Sequence, residues 1–342
     1  MTDLDNLRQS STESVPEQAA IAARPVATIG AATAKDYWAL LKPNVMGLVI
    51  FTGFVGIVAA PGSIHPVLLL AALLCISVGA GAAGALNMWY EADIDAGMQR
   101  TRSRPIPSGR ITADEALTFG VVLSVGSVLA MAVMINYVAA ALLALTIAFY
   151  IFVYTMWLKR RTPQNIVIGG AAGALPPVIG WASVTGTIEL EPLVLFLIIF
   201  LWTPPHFWAL ALYKASEYGK VGVPMLPVTA GKPQTRLQIV IYSLILVPST
   251  VLPYYAGFAG QIYLVSAIVS GAGLIYYALE VWWFGRLAEQ ASEAGGSQAK
   301  HRLFQADRAA RRMFKYSTYH LFILFAILLL EHGLGLVQLT FF

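Results

Sequence analysis

Between Asn87 and Arg110 the chain reads NMWYEADIDAGMQRTRSRPIPSGR, where an apolar run breaks into Glu91, Asp93 and Asp95 and then into Arg100, Arg102, Arg104 and Arg110. Carboxylates followed by guanidinium groups are the side chains that hold a divalent cation and a phosphate. Asn87, Glu91 and Asp95 are spaced i, i+4, i+8, so they share one stripe if the preceding helix runs on past the apolar boundary. Two carboxylates on adjacent turns repel each other and need a cation. All-oxygen, thiol-free ligation suits Mg²⁺, which keeps waters and takes its remaining ligands from substrate phosphates. Asp93 points roughly the other way, and joins such a site only if the helix unwinds there or a second ion binds. Arginine is the side chain best suited to forked contacts with phosphate oxygens. The plainer readings are a solvated helix end for the acids and a headgroup-anchored basic cluster for the arginines. Alternation of the two signs, followed by a Pro-Ile-Pro-Ser-Gly turn, favours an ordered pocket.

Those side chains need a scaffold, and the composition says what kind. Of 342 residues 58% are hydrophobic and only 12% charged, with a mean hydropathy of +0.69, far from a soluble globular average. An all-α polytopic membrane protein is expected. Apolar runs near the roughly 20 residues that cross a bilayer occur at Asn44–Ala60, Val67–Trp89, Ala116–Ile135, Val138–Leu158, Ile166–Val184, Leu193–Tyr213, Ile239–Tyr255, Ile262–Phe284 and Phe314–Leu330, nine spans in all. Alternating these spans puts all 22 Lys and Arg residues on one face. By the positive-inside rule the N-terminus is in and the C-terminus out. The net charge of +4 then reflects topology, and no nucleic-acid partner is implied. Residues 1–35 are rich in Ser, Thr, Ala and Gln, lack the apolar core of a cleaved signal, and read as a disordered tail ahead of a membrane domain over 36–342. Cys75, inside the second span, is the single cysteine, so neither an intrachain disulfide nor a cysteine metal cluster can form.

Three inner connections are long, at Tyr90–Glu115, Lys214–Gln238 and Gly285–Met313, and long loops usually hold function. The first two follow spans two and six, which places both at one face. The second carries Lys214, Glu217, Tyr218 and Lys220, a set read either as phosphate and metal contacts or as topology anchors. His206 sits inside an apolar helix just after Pro204 and Pro205. An intramembrane histidine is costly and often functional, against the alternative of one satisfied by a carbonyl freed at the proline kink. His320, in the last span, is a second candidate or an interfacial residue. His65, His301 and His332 read as structural or solvent-facing.

The motif NxxxDxxxD near the end of the second span, followed by RTxxRPIPSGR, resembles the UbiA-type intramembrane prenyltransferases, and within them the branch that farnesylates heme. TPPHFWALALYK (203–214) and VPMLPVTAGK (223–232) are further matches in the same order, and the resemblance covers roughly residues 37–336. It implies a UbiA-like helical bundle that moves the farnesyl group of farnesyl diphosphate to a vinyl group of heme b, with a hydroxyl added from water. It implies that Asn87, Glu91 and Asp95 bind Mg²⁺ and through it the diphosphate, with Asp93 and Glu217 as further metal ligands. Arg100 and Arg104 would neutralise the leaving group, with Lys42, Lys214 and Lys220 as further diphosphate contacts, and His206 and His320 would contact the heme. Glu217 stands where the family usually has Asp, and Asn44 where an Arg often follows Lys42-Pro43. The enzyme would lie in a bacterial inner membrane with its active site facing the cytoplasm, and a terminal oxidase or heme-modifying enzyme would consume its product. Three other readings compete: a prenyltransferase for a quinone precursor or chlorin, a transporter, and a lipid-headgroup transferase. A transporter would be expected to carry charges near the bilayer midplane; here nearly all lie at one face.

Overall fold

The computed structural model describes residues 32–294 and 298–337. The tail expected over 1–35 lies outside these but for its end, where Thr33 caps a short helix α1 (Ala34–Leu40) through a capping box with Asp36. The chain then turns at Lys42 into α2 (Pro43–Ala59). Every other described element is helical: α3 (Pro66–Tyr90), α4 (Ala92–Gly97), α5 (Ala113–Met134), α6 (Tyr137–Ala148) continued by a π-helical segment (Phe149–Leu158), α7 (Asn165–Ala174), α8 (Pro176–Thr185), α9 (Leu190–Lys220), α10 (Leu226–Thr229), α11 (Gly231–Ser249), α12 (Leu252–Tyr255), α13 (Gln261–Ala294) and α14 (Gln298–Gly333).

Eight helical stretches among the described residues are long and apolar enough to span a bilayer, and the α1–α2 pair, bent by 62°, makes up to nine. The chain is a multi-pass membrane protein. Its outward faces carry bare aliphatic side chains, such as Val122, Val125 and Leu129 on α5 and Val265, Ile268 and Val269 on α13; lipid tails solvate such a surface as well as a core does.

Local sequence explains the element ends that matter. Pro66 sits at the first turn of α3, where a missing N–H costs nothing, and the His65 ring accepts the Val67 N–H at 3.3 Å. Glycines let backbones touch: a Cβ on Gly56 would lie 2.2 Å from the Pro177 carbonyl, and one on Gly180 2.2 Å from that of Gly53. Without those two glycines α2 and α8 could not meet. The helical break at Leu175 falls before the Pro176-Pro177 pair; Leu175 itself keeps helical backbone, and two successive residues without an N–H cannot donate back to the carbonyls of α7.

Two of the expected inner loops are mostly helix instead. The connection expected at Lys214–Gln238 holds the end of α9, α10 and the start of α11, and that at Gly285–Met313 holds the ends of α13 and α14. Loss of hydropathy marked the membrane boundary, but the helices run on beyond it: residues 285–313 are rich in Ala, Arg and Gln, which favour helix, and in 214–238 the helix breaks only around Gly222 and Pro224 and before Gly231. The 34-residue α13 and 36-residue α14 therefore project beyond the hydrocarbon core. At their other ends they are laced together: Glu331 of α14 accepts the N–H groups of Gly260 and Tyr263 at 2.6 and 2.9 Å, at the start of α13.

Candidate active site

The stripe expected from spacing forms. The Glu91 N–H donates to the Asn87 carbonyl at 3.0 Å and the Asp95 N–H to the Glu91 carbonyl at 2.8 Å. The i→i−4 ladder thus passes through the bend between α3 and α4, and Asn87, Glu91 and Asp95 are all buried.

Each of the three meets a cation or its neighbour. Lys42 Nζ donates to Asn87 Oδ1 at 2.5 Å, and its stem lies over Gly84. Lys159 Nζ pairs with Glu91 Oε2 at 2.5 Å, and Arg104 Nη1 with Asp95 Oδ2 at 2.6 Å. Asn87 Nδ2 also donates to Thr155 Oγ1 at 3.0 Å. Thr155 and Lys159 come from one face of the span-four helix. Its π wind, with the Lys159 N–H on the Tyr154 carbonyl at 2.9 Å, brings Tyr150 and Tyr154 together, ring centroids 5.3 Å apart. The Lys159 ammonium lies 5.8 Å from the Tyr154 centroid. Wide π turns are concentrated at functional sites.

Lys42 holds φ 51°, the one positive φ outside glycine among the described residues. Such backbone costs on the order of 1–3 kcal/mol and survives where surroundings over-determine it; here the Asn87 bond and the Gly84 contact do so.

Asp93 lies on the other flank, mostly exposed, in a forked pair with Arg160 at 2.8 and 2.9 Å. That fork holds its carboxyl below the ordinary range, and Asp93 in turn raises Arg160. Arg100 and Lys220 are exposed. Lys214 and Glu217 pair with each other at 2.5 Å at the end of α9. That end reaches the acidic stripe's helix: a Cβ on Gly97 would lie 2.7 Å from Val221 Cγ1, and Ile94 and Met98 share a core with Tyr218, Val223 and Met225. The two connections placed at one face by sequence do meet.

His206 and His320 stand apart from this cluster, within the spans. His206 Nδ1 bonds Ser317 Oγ of α14 at 2.8 Å, not a carbonyl freed by the prolines, and α9 runs unbroken through Pro204 and Pro205. His320 is fully buried on the α13 side, its Nδ1 3.0 Å from Ser270 Oγ.

Lys159 and Thr155 were missed by the sequence reading, which counted Lys159 only toward topology. Their four-residue spacing repeats that of Asn87 and Glu91, the one signal that could have found them.

Among the described residues no three His, Cys, Asp or Glu side chains converge as a metal cage. Mg²⁺ needs no such cage, being held by one or two carboxylates with waters and substrate phosphates. Buried Glu91 Oε1 and Glu217 Oε2 have no hydrogen-bond partner, and an orphaned carboxylate oxygen calls for a cation or water. The oxygen donors of Asn87, Glu91 and Asp95 fit that ion.

Buried oxygen ligands ringed by ammonium and guanidinium groups, at the end of an all-helical membrane bundle, define an intramembrane enzyme that handles a phosphate ester. The chain belongs to the UbiA prenyltransferase family, whose model matches residues 48–301. It is 60% identical to a protoheme IX farnesyltransferase of Parvibaculum lavamentivorans, over 90% of this chain and 92% of that one. It is 55% identical to a protein of the same name from Rhodopseudomonas palustris, over 89% and 92%. Among solved structures, a digeranylgeranylglyceryl phosphate synthase superposes with a TM-score of 0.67 at 18% identity, over 87% of this chain and 98% of that one. A UbiA homologue from Archaeoglobus fulgidus, bound to DMAPP and Mg²⁺, does so at 0.58 and 17%, over 84% and 99%. At those identities the likeness establishes the fold.

Proposed function

We propose that this chain transfers the farnesyl group of farnesyl diphosphate to a vinyl group of heme b, giving heme O and diphosphate. The observation that carries the reading is the buried Asn87–Glu91–Asp95 stripe with its basic partners, in a chain so similar to protoheme IX farnesyltransferases.

In this reading Asn87, Glu91 and Asp95 hold Mg²⁺, with Glu217 reaching in from α9 and Asp93 on the flank. When bound, the ion supplies positive charge against the leaving diphosphate. Arg104, Lys159 and Lys42, which now face the acids, turn to the diphosphate oxygens, and Arg100, Lys214 and Lys220 extend that basic rim. Preorganised cations aimed at developing negative charge lower the barrier to breaking the C1–O bond. The allylic carbon left electron-poor sits beside Tyr150 and Tyr154, whose ring faces favour positive charge. The terminal vinyl carbon of heme b supplies the electron pair for the new C–C bond. The cation this leaves on the inner vinyl carbon takes oxygen from water, and a proton departs. His206 orients the heme. The site faces the cytoplasm of a bacterium whose inner membrane holds the protein, with the N-terminus inside, and a terminal oxidase or a further heme-modifying enzyme takes the product.

Expression in cells that lack heme O, followed by heme extraction, tests this: a farnesylated heme appears. Asp95→Asn lowers its rate of formation by on the order of 10²-fold or more, the scale of losing one preorganised charge-stabilising group. Unchanged heme b beside a prenylated quinone precursor would refute the assignment.

A further inference from the structure

Where α9, α11, α13 and α14 come together at the basic face they leave a cavity of about 170 Å³, many times the roughly 10–15 Å³ that a single water needs. Three spans fix its depth independently. Leu212, on its apolar wall, falls in the last turn of the sixth span, Arg236 stands just ahead of the seventh, and Gly285 follows directly on the eighth. The cavity therefore lies in the headgroup layer. Ser292 and Leu303 on its wall are exposed, so it opens to the outside.

Four charged side chains line it without satisfying one another. Arg236 of α11 is only 6% exposed at its side chain and is pressed against α13, where a Cβ on Gly285 would stand 2.2 Å from its Cδ. A guanidinium carries five N–H donors, and among the described residues the one protein acceptor for them is Glu289 of α13. Lys232, at the start of α11, and Asp307 of α14 line the same cavity. Neither has an ion-pair partner among the described residues. Cations on one wall and carboxylates on the other, with room between them, match a ligand that is negative at one end and positive at the other.

Unmet charge away from bulk water is costly until a counter-charge arrives, and basic pockets between spans are where lipid headgroups bind. A phosphate accepts forked contacts from a guanidinium, and a primary ammonium has three N–H groups for carboxylates. We infer that this cavity holds the phosphoethanolamine headgroup of a membrane lipid, with its phosphate on Lys232 and Arg236 and its ammonium between Asp307 and Glu289. Leu303 at the mouth is 49% exposed and Phe304 beside it 64%, an apolar surface that suits acyl chains and is of no use to a free solute. The site is built from other helices than the acidic stripe of α3 and α4, and it does not depend on which acceptor is prenylated.

The test strips the full-length chain of lipid in detergent and titrates it with short-chain phosphatidylethanolamine or phosphatidylglycerol, reading occupancy by native mass spectrometry. The wild type takes up one phosphatidylethanolamine and holds it roughly 10-fold or more tighter than phosphatidylglycerol, which has the phosphate but no ammonium; that is the scale of a hydrogen bond to a charged group. Lys232→Met weakens both lipids. Asp307→Asn brings phosphatidylethanolamine down to the level of phosphatidylglycerol and does not weaken the latter. Neither substitution breaks an ion pair, so both variants should keep the wild-type unfolding temperature without lipid; if either fails to fold, the wild-type comparison decides. Equal affinity for the two lipids, or variants indistinguishable from wild type, overturns the site and leaves the cavity to water. Glycerophosphoethanolamine that displaces the lipid at equal concentration would keep the headgroup chemistry and overturn the lipid as its source.

Discussion

Lys159 and Glu91 form a nearly dry ion pair, with side-chain exposures of 15% and 3%. Removing one member of such a pair strands a buried charge and costs about 3–5 kcal/mol, whereas replacing both is often nearly neutral. Lys159→Met is therefore expected to lower thermal stability sharply in detergent, and the double variant Lys159→Met/Glu91→Gln to recover most of it. Neither should make heme O, because the diphosphate loses its ammonium in the first and the metal a carboxylate in the second. A double variant as unstable as the single one would show that the pair is not the source of the effect. The acids, the amide and Arg104 were legible in the sequence because one helical stripe and one short loop hold them. Lys159, Thr155 and Ser317 were not, since each acts on a residue far away in the chain and only tertiary packing declares it.

Elements were legible where burial in lipid writes a continuous apolar run, and illegible where charge resumes while the helix continues, as in α9, α13 and α14. The π wind of Phe149–Leu158 also escaped notice, because an apolar window of ten residues carries no mark of i→i−5 bonding. Deleting Val153 is expected to tighten the segment toward α-helix and swing Lys159 away from Glu91. Prenyl transfer should fall by at least ~10²-fold, the cost of misplacing a positioned group by about an ångström, while membrane insertion persists. Full activity in that deletion would show that the wide turn is dispensable. Gly180→Val attacks a different element: its side chain would enter the Gly53 backbone, which cannot yield as a flexible side chain would. Overpacking of this kind costs about 1–3 kcal/mol or more, read as a lowered unfolding temperature; an unchanged one would mean that α2 and α8 separate freely.

At the scale of the molecule, the Lys and Arg pattern predicts which faces meet which compartment. Cys75 is buried and leaves a quiet background for thiol labelling. In right-side-out cells an impermeant reagent should reach Thr187→Cys and not Ser292→Cys, and inverted vesicles should reverse the result; the opposite outcome would turn the proposed orientation over. Asn87 meets Thr155 and Glu91 meets Lys159, each 68 positions on, because α3 and the fourth span run in the same direction. Both rungs share a single offset, so sliding one span past the other by a turn breaks both together. A half-assembled pocket is then not a weak catalyst but none at all, and turnover reports the docking of these two spans as a switch does, without a dial.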